Sequence, residues 1–429
     1  MRVLMFGWEF PPHIAGGLGT ACYGMTRGLA ENGVEVLFVM PSASGDEDQS
    51  SVRIINASDV AVDTMSETVD EFLGKVRFVH VGTNMVPYVS PEDFSSVVEE
   101  ERARQIKDFR ITYGQKYQFS GKYGTNLMEE VARYGMVGGT IALQHCDEFD
   151  VIHAHDWLTY LAGIAAKQLT GKPLVVHVHA TSFDRSSDDN IDTRVYDLEK
   201  RGMEAADRVI TVSELTRNIV INKYGIDPAK VVTVHNAVDF SGRAGITVQR
   251  GVKDKIVTFL GRVTYQKGPE YFIEAAAKVL KRCDNVRFVM AGSGDMLNRC
   301  IRHVARLGIA DRFHFTGFLR GDDVRKMFAL SDVYVMPSIS EPFGISPLEA
   351  MQTNVPSIIS KQSGCAEVLK YALKVDFWDV DAMSDAIYGL LNYPALSDFA
   401  TRCGYDEVNA LKWTAAAAKV KAVYESVAK

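Results

Sequence analysis

Cysteine is scarce in this chain and follows no pattern. Six cysteines (Cys22, Cys146, Cys283, Cys300, Cys365 and Cys403) are spread over 429 residues, with no CxxC pair among them. That spacing indicates neither a zinc site nor a disulfide framework, and the expectation is buried free thiols in a reducing cytoplasm. No apolar run reaches the roughly 18 residues of a membrane span, so no transmembrane helix and no integral membrane contact are predicted. Positive charge is in deficit: 47 Lys and Arg face 54 Asp and Glu, a net charge of −7. This argues against nucleic acid or an anionic membrane as the main partner. The apolar start, Arg2-Val3-Leu4-Met5-Phe6, stops at Gly7 and runs into Glu9 and Pro11-Pro12. It is too short for a leader's apolar region and has no cleavage site, and it reads as the first strand of the fold. The remaining composition, 47% hydrophobic and 24% charged, is ordinary for a globular protein. The length suits two or three domains rather than one core.

Strands and helices alternate on both sides of a polar stretch at 239–254. Val3–Phe6 reads as a strand, followed by Gly16-Gly17-Leu18-Gly19, a helix from about Thr20 to Ala30, and a strand at Val34–Met40. Further strand candidates are Val52–Ile55, Val76–Val81, Asp150–His153, Leu174–His179, Arg208–Val212 and Val231–Val234. The second half starts afresh, with strands at Lys255–Leu260, Val286–Ala291, Phe313–Thr316, Asp332–Met336 and Val355–Ile359. The pattern predicts an α/β protein of two Rossmann-like, doubly wound parallel-sheet domains, at 1–240 and 254–409. Residues 86–145 break the alternation with a charge run and six aromatics (Phe109, Tyr113, Tyr117, Phe119, Tyr123 and Tyr134) that suit core packing or an acceptor groove.

In open parallel sheets, ligands bind beyond the carboxyl ends of the strands. The residues just past the predicted strands are therefore the site candidates. They are Gly16, Gly17 and Gly19; His155, Asp156 and Trp157; His179; His235 and Asn236; Arg262 and Lys267; the loop at Gly292; and Glu341. The glycines do not spell GxGxxG, because Cys22 fills the third place, which argues against a dinucleotide site while leaving backbone N–H groups for a phosphate. Asp156 could simply cap the helix that follows it. His177, within a strand, reads as structural. Lys267-Gly268-Pro269 at a helix start, with Arg262 nearby, suits a diphosphate: a point charge from Lys and a fork from Arg. Asp188-Asp189-Asn190-Ile191-Asp192 has the look of an acidic loop, and no metal site is assigned. Glu341 lies in the loop Glu341-Pro342-Phe343-Gly344-Ile345 and Glu349 in the next helix, where Ser346, Pro347 and Glu349 would also make a capping box.

These motifs resemble nucleotide-sugar-dependent retaining glycosyltransferases of the GT-B fold, and more narrowly the glycogen/starch synthase-like branch. The likeness spans nearly the whole chain. Glu341 through Glu349 is similar to that superfamily's E-x7-E signature, and Gly261-Arg262 through Lys267-Gly268 to its phosphate-binding segment. Gly16-Gly17-Leu18 resembles the donor loop, and His155-Asp156-Trp157 the H-D-W segment of glucan synthases. Trp413 and the helix after it, in 410–429, resemble the terminal helix that crosses back to the first domain. Two positions depart from bacterial glycogen synthases: Ile14 stands where they carry lysine, and Glu349 is a second glutamate they commonly lack.

The resemblance implies two domains facing across a cleft and transfer of a hexose, with glucose expected, from ADP-glucose or UDP-glucose to a glucan or oligosaccharide. No separate cofactor is implied. Arg262 and Lys267 would neutralise the diphosphate, taking the place a metal holds in other transferases. Glu341 would bind the sugar near the reacting carbon, with His179 and Asp156 on its other side and Asn236 nearby. Gly16, Gly17 and the Phe343-Gly344-Ile345 backbone would hold phosphate and sugar, the loop at Gly292 the nucleotide base, and Glu349 the ribose. Competing readings are a transferase of the same fold for a lipid-linked or small sugar acceptor, a sugar-nucleotide epimerase, and a non-catalytic carbohydrate-binding protein.

Overall fold

The computed structural model describes residues 1–13, 16–62, 116–121, 127–186, 190–238 and 248–428. Thirteen strands among these residues form two sheets. The first contains β1 (Arg2–Phe6), β2 (Glu35–Met40), β3 (Arg53–Asn56), β4 (Val151–His155), β5 (Leu174–Val178), β6 (Arg208–Thr211) and β7 (Val231–Thr233). The second contains β8 (Lys255–Leu260), β9 (Val286–Ala291), β10 (Phe313–Gly317), β11 (Val333–Met336), β12 (Ser357–Ser360) and β13 (Leu373–Val375). Strand orders are β3-β2-β1-β4-β5-β6-β7 and β10-β9-β8-β11-β12-β13. Every ladder between these strands is parallel.

Both sheets therefore reverse their winding at one place, between β1 and β4 in the first and between β8 and β11 in the second. Helices leave to opposite faces there, so a crevice opens above the strand ends. The strands are nearly continuous apolar runs, as sheets covered on both faces require. Val3 to Phe6, Val257, Phe288 and Ile358 are fully buried.

The helix Trp413–Val427 packs against the helix Gly17–Glu31 of the first domain, although it follows the second domain in sequence. Two glycines on the first helix receive it. A Cβ at Gly24 would lie 2.2 Å from the Trp413 indole, and one at Gly28 would lie 2.5 Å from the Trp413 carbonyl oxygen. The Asn32 side-chain amide donates to the Thr414 carbonyl (2.9 Å) and Lys421 Nζ to the Asn32 carbonyl (2.8 Å). The polypeptide thus passes between domains twice, and the passages touch: the Val238 amide donates to the Leu411 carbonyl at 3.3 Å.

Several local expectations move. The first helix starts at Gly17, three residues before the sequence places it, with Gly16 as its N-cap. Tyr117, Phe119 and Tyr134 are buried in the first domain's core. Phe109, Tyr113, Tyr123, Val76–Val81 and Ile14 lie outside the described residues, as do Asp188 and Asp189. Asp192 caps the helix Thr193–Ala205 through the Arg194 amide and also pairs with the Arg194 guanidinium at 2.8 Å.

Candidate active site

On the second domain, two turns converge at the switch point. The turn after β8 carries Arg262 and Lys267 and ends at Gly268, the N-cap of the helix Pro269–Leu280. Gly268 has φ +62°, and a Cβ there would meet the Pro337 carbonyl oxygen at 2.2 Å, so the turn can lie directly on the loop after β11. The Ile339 amide ties the two together by donating to the Gln266 carbonyl at 2.9 Å. Lys267 Nζ then ion-pairs with the Glu341 carboxylate, which also accepts from Ser338 Oγ at 3.3 Å. Glu341 is only 7% exposed, a burial that a carboxylate tolerates when paired in this way. The sequence assigns the two residues separate tasks, phosphate for Lys267 and sugar for Glu341; here they are one ion pair. Arg262 Nη2 donates to Gln266 Oε1 at 3.2 Å on the same turn. Gly292, at the end of β9, donates its amide to the Gly317 carbonyl (2.8 Å).

The helix after Glu341 corrects one expectation. Ser346 is its first residue rather than its N-cap. Ile345, with helical φ −78° and ψ −34°, holds the cap position and makes no side-chain cap bond. A capping box needs an extended N-cap residue, so the box centred on Ser346 is not formed. The Ser346 hydroxyl is engaged with Tyr334 instead. Gly344 has φ +94°, and a Cβ there would sit 3.1 Å from Glu341 Cγ, so this turn closes tightly over the glutamate. The Phe343 ring is buried in the core beneath the loop, 6.1 Å from the His235 ring, so only its backbone is available to a ligand. Ile345 is partly buried and packs on apolar residues of both domains.

On the first domain, Gly16 and Gly17 have nothing within 4 Å of a Cβ position, which leaves their backbone open. Their loop is held from behind by Glu9, whose carboxylate accepts from the Gly19 amide at 3.1 Å. His155 is the last residue of β4 and not part of a loop. Asp156 stands at the N-cap position of the helix Trp157–Thr170 but does not cap it. Its φ is +57°, and its Oδ1 turns to the end of β5, accepting from the His179 amide (2.7 Å) and the Ala180 amide (3.3 Å). Held left-handed, which is costly for a non-glycine residue, Asp156 locks the backbone that presents His179. Burial pushes its carboxyl up to about 7, against the pull of Arg185 and those two amides.

His179 Nε2 lies 2.9 Å from His155 Nδ1, and burial pushes the His179 imidazole down to about 3. It is a neutral ring at any working pH, suited to hydrogen-bonding a hydroxyl rather than to carrying charge. Asn236 is buried and its Oδ1 has no partner among the described residues.

Contacts between the domains bring these two edges together. Ser340 Oγ donates to Asp184 Oδ1 at 2.6 Å, one residue before Glu341 and five after His179. The turn Ser182–Arg185 abuts the turn Tyr265–Lys267. Further along, the Glu367 carboxylate of the second domain accepts from the Glu214 and Leu215 amides (2.9 and 2.8 Å) and meets His235 Nε2 at 2.6 Å. Burial opposes its charge, but His235 and the two amides hold its carboxyl below the usual range. Glu367, Asp184 and Ser340 escape sequence reading because each is an ordinary polar loop residue whose partner is more than 100 positions away.

Two parallel-sheet α/β domains with their strand ends brought together define the GT-B glycosyltransferase architecture. Residues 2–234 match the family described as starch synthase catalytic domain and residues 247–406 that described as glycosyl transferases group 1. The chain belongs to these glycosyltransferases and is related to the glycogen and starch synthases. An uncharacterized glycosyltransferase of Methanocaldococcus jannaschii is 30% identical over 387 residues, 86% of this chain and 83% of that protein. The glycogen synthase of Mycobacterium tuberculosis is 23% identical over 431 residues, covering 99% of this chain and 94% of its own length. The starch synthase IV catalytic domain from Arabidopsis thaliana, bound to ADP and acarbose, superposes with a TM-score of 0.67 at 16% identity, covering 100% of this chain and 99% of that one. Among the described residues, no helix is long and apolar enough to cross a membrane.

Proposed function

We propose that the protein is a retaining hexosyltransferase that moves glucose from a nucleoside-diphosphate sugar to the non-reducing end of a glucan or oligosaccharide. The carrying observation is the buried Lys267–Glu341 pair, with Arg262 on the same turn, next to an edge of neutral polar groups centred on His179. The donor's diphosphate engages Arg262 and Lys267 and the open amides of Gly16 and Gly17, with Gly292 near the base. As Lys267 turns to phosphate, Glu341 is freed to accept from hydroxyls of the sugar. His179 and Asn236 bind the sugar's other edge, and Glu349 accepts from the ribose. The acceptor oxygen bonds to the anomeric carbon on the face the phosphate leaves, its proton passes to the departing phosphate oxygen, and the nucleoside diphosphate is released. Lys267 and Arg262 stabilise the charge developing on that oxygen, and such electrostatic stabilisation usually supplies more of an enzyme's rate enhancement than any other effect.

The glucan reading rests on the full-length likeness to a glycogen synthase and on His155-Asp156-Trp157 standing beside His179. The test is a panel of ADP-, UDP- and GDP-sugars crossed with maltooligosaccharides and small acceptors, with the product's anomeric configuration read by NMR. Extension of maltooligosaccharides with an α-linkage is expected. Transfer only to a small or lipid-linked acceptor, or epimerised donor without transfer, overturns the glucan assignment.

A further inference from the structure

Behind the reaction centre lies a cluster of histidines that the transfer chemistry does not use. His153 and His155 alternate along β4, and His177 on β5 is the register partner of His155, so all three side chains leave the same face of the sheet. All three are fully buried. The rings stand close, with centroids 4.2 Å apart for His153 and His155, 5.3 Å for His155 and His177, and 5.5 Å for His153 and His177. One nitrogen from each ring lies within 4.8 Å of the other two.

The hydrogen bonds divide these rings in a telling way. His153 Nδ1 is fixed by Tyr424 Oη at 2.6 Å, and His155 Nδ1 by His179 Nε2 at 2.9 Å. The remaining nitrogens, His153 Nε2, His155 Nε2 and both of His177, are buried with no partner among the described residues. A neutral imidazole always carries one N–H, and a buried polar group left unpaired is destabilising. Three adjacent rings thus carry four buried nitrogens with no partner among the described residues, and one nitrogen of each ring lies close to the other two. His153 and His155 each have one nitrogen oriented by an outside partner, as metal-binding histidines are held, whereas His177 has neither nitrogen so fixed.

We propose that His153, His155 and His177 form a binding site for one transition-metal ion of the zinc type, lying behind the reaction centre and not in it. Imidazole donors without carboxylates select zinc, copper or nickel over magnesium and calcium. Zn–N bonds of about 2.0–2.1 Å require the three rings to draw together from their present spacing, with a water as fourth ligand. The ion has a consequence at the catalytic edge. A metal on His155 Nε2 leaves that ring's proton on Nδ1, which donates to His179 Nε2. The neutral His179 must then keep its own proton on Nδ1. Metal binding therefore selects one His179 tautomer.

The test uses the full chain without a histidine tag, stripped with a chelator and titrated with Co²⁺. The expected result is one Co²⁺ per chain with the visible absorption of four-coordinate cobalt, displaced by Zn²⁺. His177→Gln abolishes these bands in a chain that circular dichroism shows to be folded. Tyr424→Phe removes only the group orienting His153 and weakens binding about 10-fold, the lower end for loss of an outer partner; it decides the matter if His177→Gln does not fold. Cys22→Ser leaves the bands in place. Absence of bands in the native chain, full binding by folded His177→Gln, or loss of binding in Cys22→Ser alone each overturns the assignment; the last places the ion on Cys22, His155 and His179 instead, whose ligand atoms also lie within 4.8 Å of one another.

Discussion

The two edges of the cleft are opposites in electrostatics. The second domain presents an ion pair, Lys267 with Glu341, and the Arg262 guanidinium beside it. The first domain presents polar groups in which burial opposes charge: His179, whose imidazole is pushed down to about 3, and Asp156, whose carboxyl is pushed up to about 7. Both edges are desolvated, but only the second pairs its buried carboxylate directly with a cation. On the proposed reading, the charged edge supplies the cations for the diphosphate and Glu341 for the sugar, and the neutral edge supplies the Gly16 and Gly17 amides for the phosphate and His179 and Asn236 for the sugar's other side.

The largest effect expected from breaking this contrast is at Lys267. Lys267→Ala should lower kcat/KM by about 10²–10³, the usual loss for a group that stabilises the leaving charge. It should also destabilise the fold by about 3–5 kcal/mol, because Glu341 is left as an unpaired buried charge. Adding Glu341→Gln should restore most of the stability, read by denaturant melts, and none of the activity. Recovery of activity in the double variant would mean that the pair is merely structural. Glu341→Ala alone should keep the fold, since the half-buried lysine can turn to solvent, and should lose most transfer.

On the neutral edge, Asp156→Asn tests the opposite sign. A carboxyl raised from its ordinary value is a group whose folded state favours the proton. The stability it contributes is full below about pH 4 and is lost as pH rises to about 7. One unit of pKa corresponds to about 1.4 kcal/mol, so even a third of this displacement is about 1.5 kcal/mol. Asp156→Asn should therefore raise Tm by ~2–4 °C at pH 8 and change it little at pH 4. An unchanged Tm at pH 8 would show the carboxylate to be comfortably solvated.

The histidines run the other way. His153, His155, His177 and His179 are all pushed down by burial, so their stabilising neutrality is present above pH 6.5 and is lost as pH falls. Each adds a slope of up to ~1.4 kcal/mol per pH unit. Stability should thus fall from pH 6.5 towards 5, and a flat profile there would remove the picture of four neutral rings.

The smallest expected effect is at Glu349. With the Ser346 capping box not formed, Glu349→Gln should raise the donor KM about 10-fold, as for a lost charged hydrogen bond of about 1.4 kcal/mol. Little change in kcat or Tm is expected. A drop in Tm alone would return the residue to a purely structural role.

The alternation of both sheets is legible in the sequence because most strands are apolar runs between helical segments, with polar residues following several of the strands. Glu341 and Lys267 were found for the same reason, but not their pairing, since 74 positions separate them. Asp156 was visible as a residue before a helix, and the cap was the obvious reading. Its true partners are the backbone amides of His179 and Ala180 just past β5, which leave no trace in side-chain pattern. The capping box at Ser346 failed because the helix reaches back one residue, a shift set by the turn at Gly344 that side-chain spacing does not encode. The histidine stack was half visible. His177 read as structural and His179 as functional, but their alignment with His153 and His155 depends on the register of β4 against β5.

The two chain passages at Val238 and Leu411 have a mechanical consequence. A single tether would let one domain swivel in any direction beneath the other. Two tethers bonded side by side act as a strap hinge: bending along one line is easy, while twisting drags Trp413 out of its seat against Gly24 and Gly28. A twist that parted Ser340 from Asp184 and Glu367 from His235 would thus also unseat Trp413.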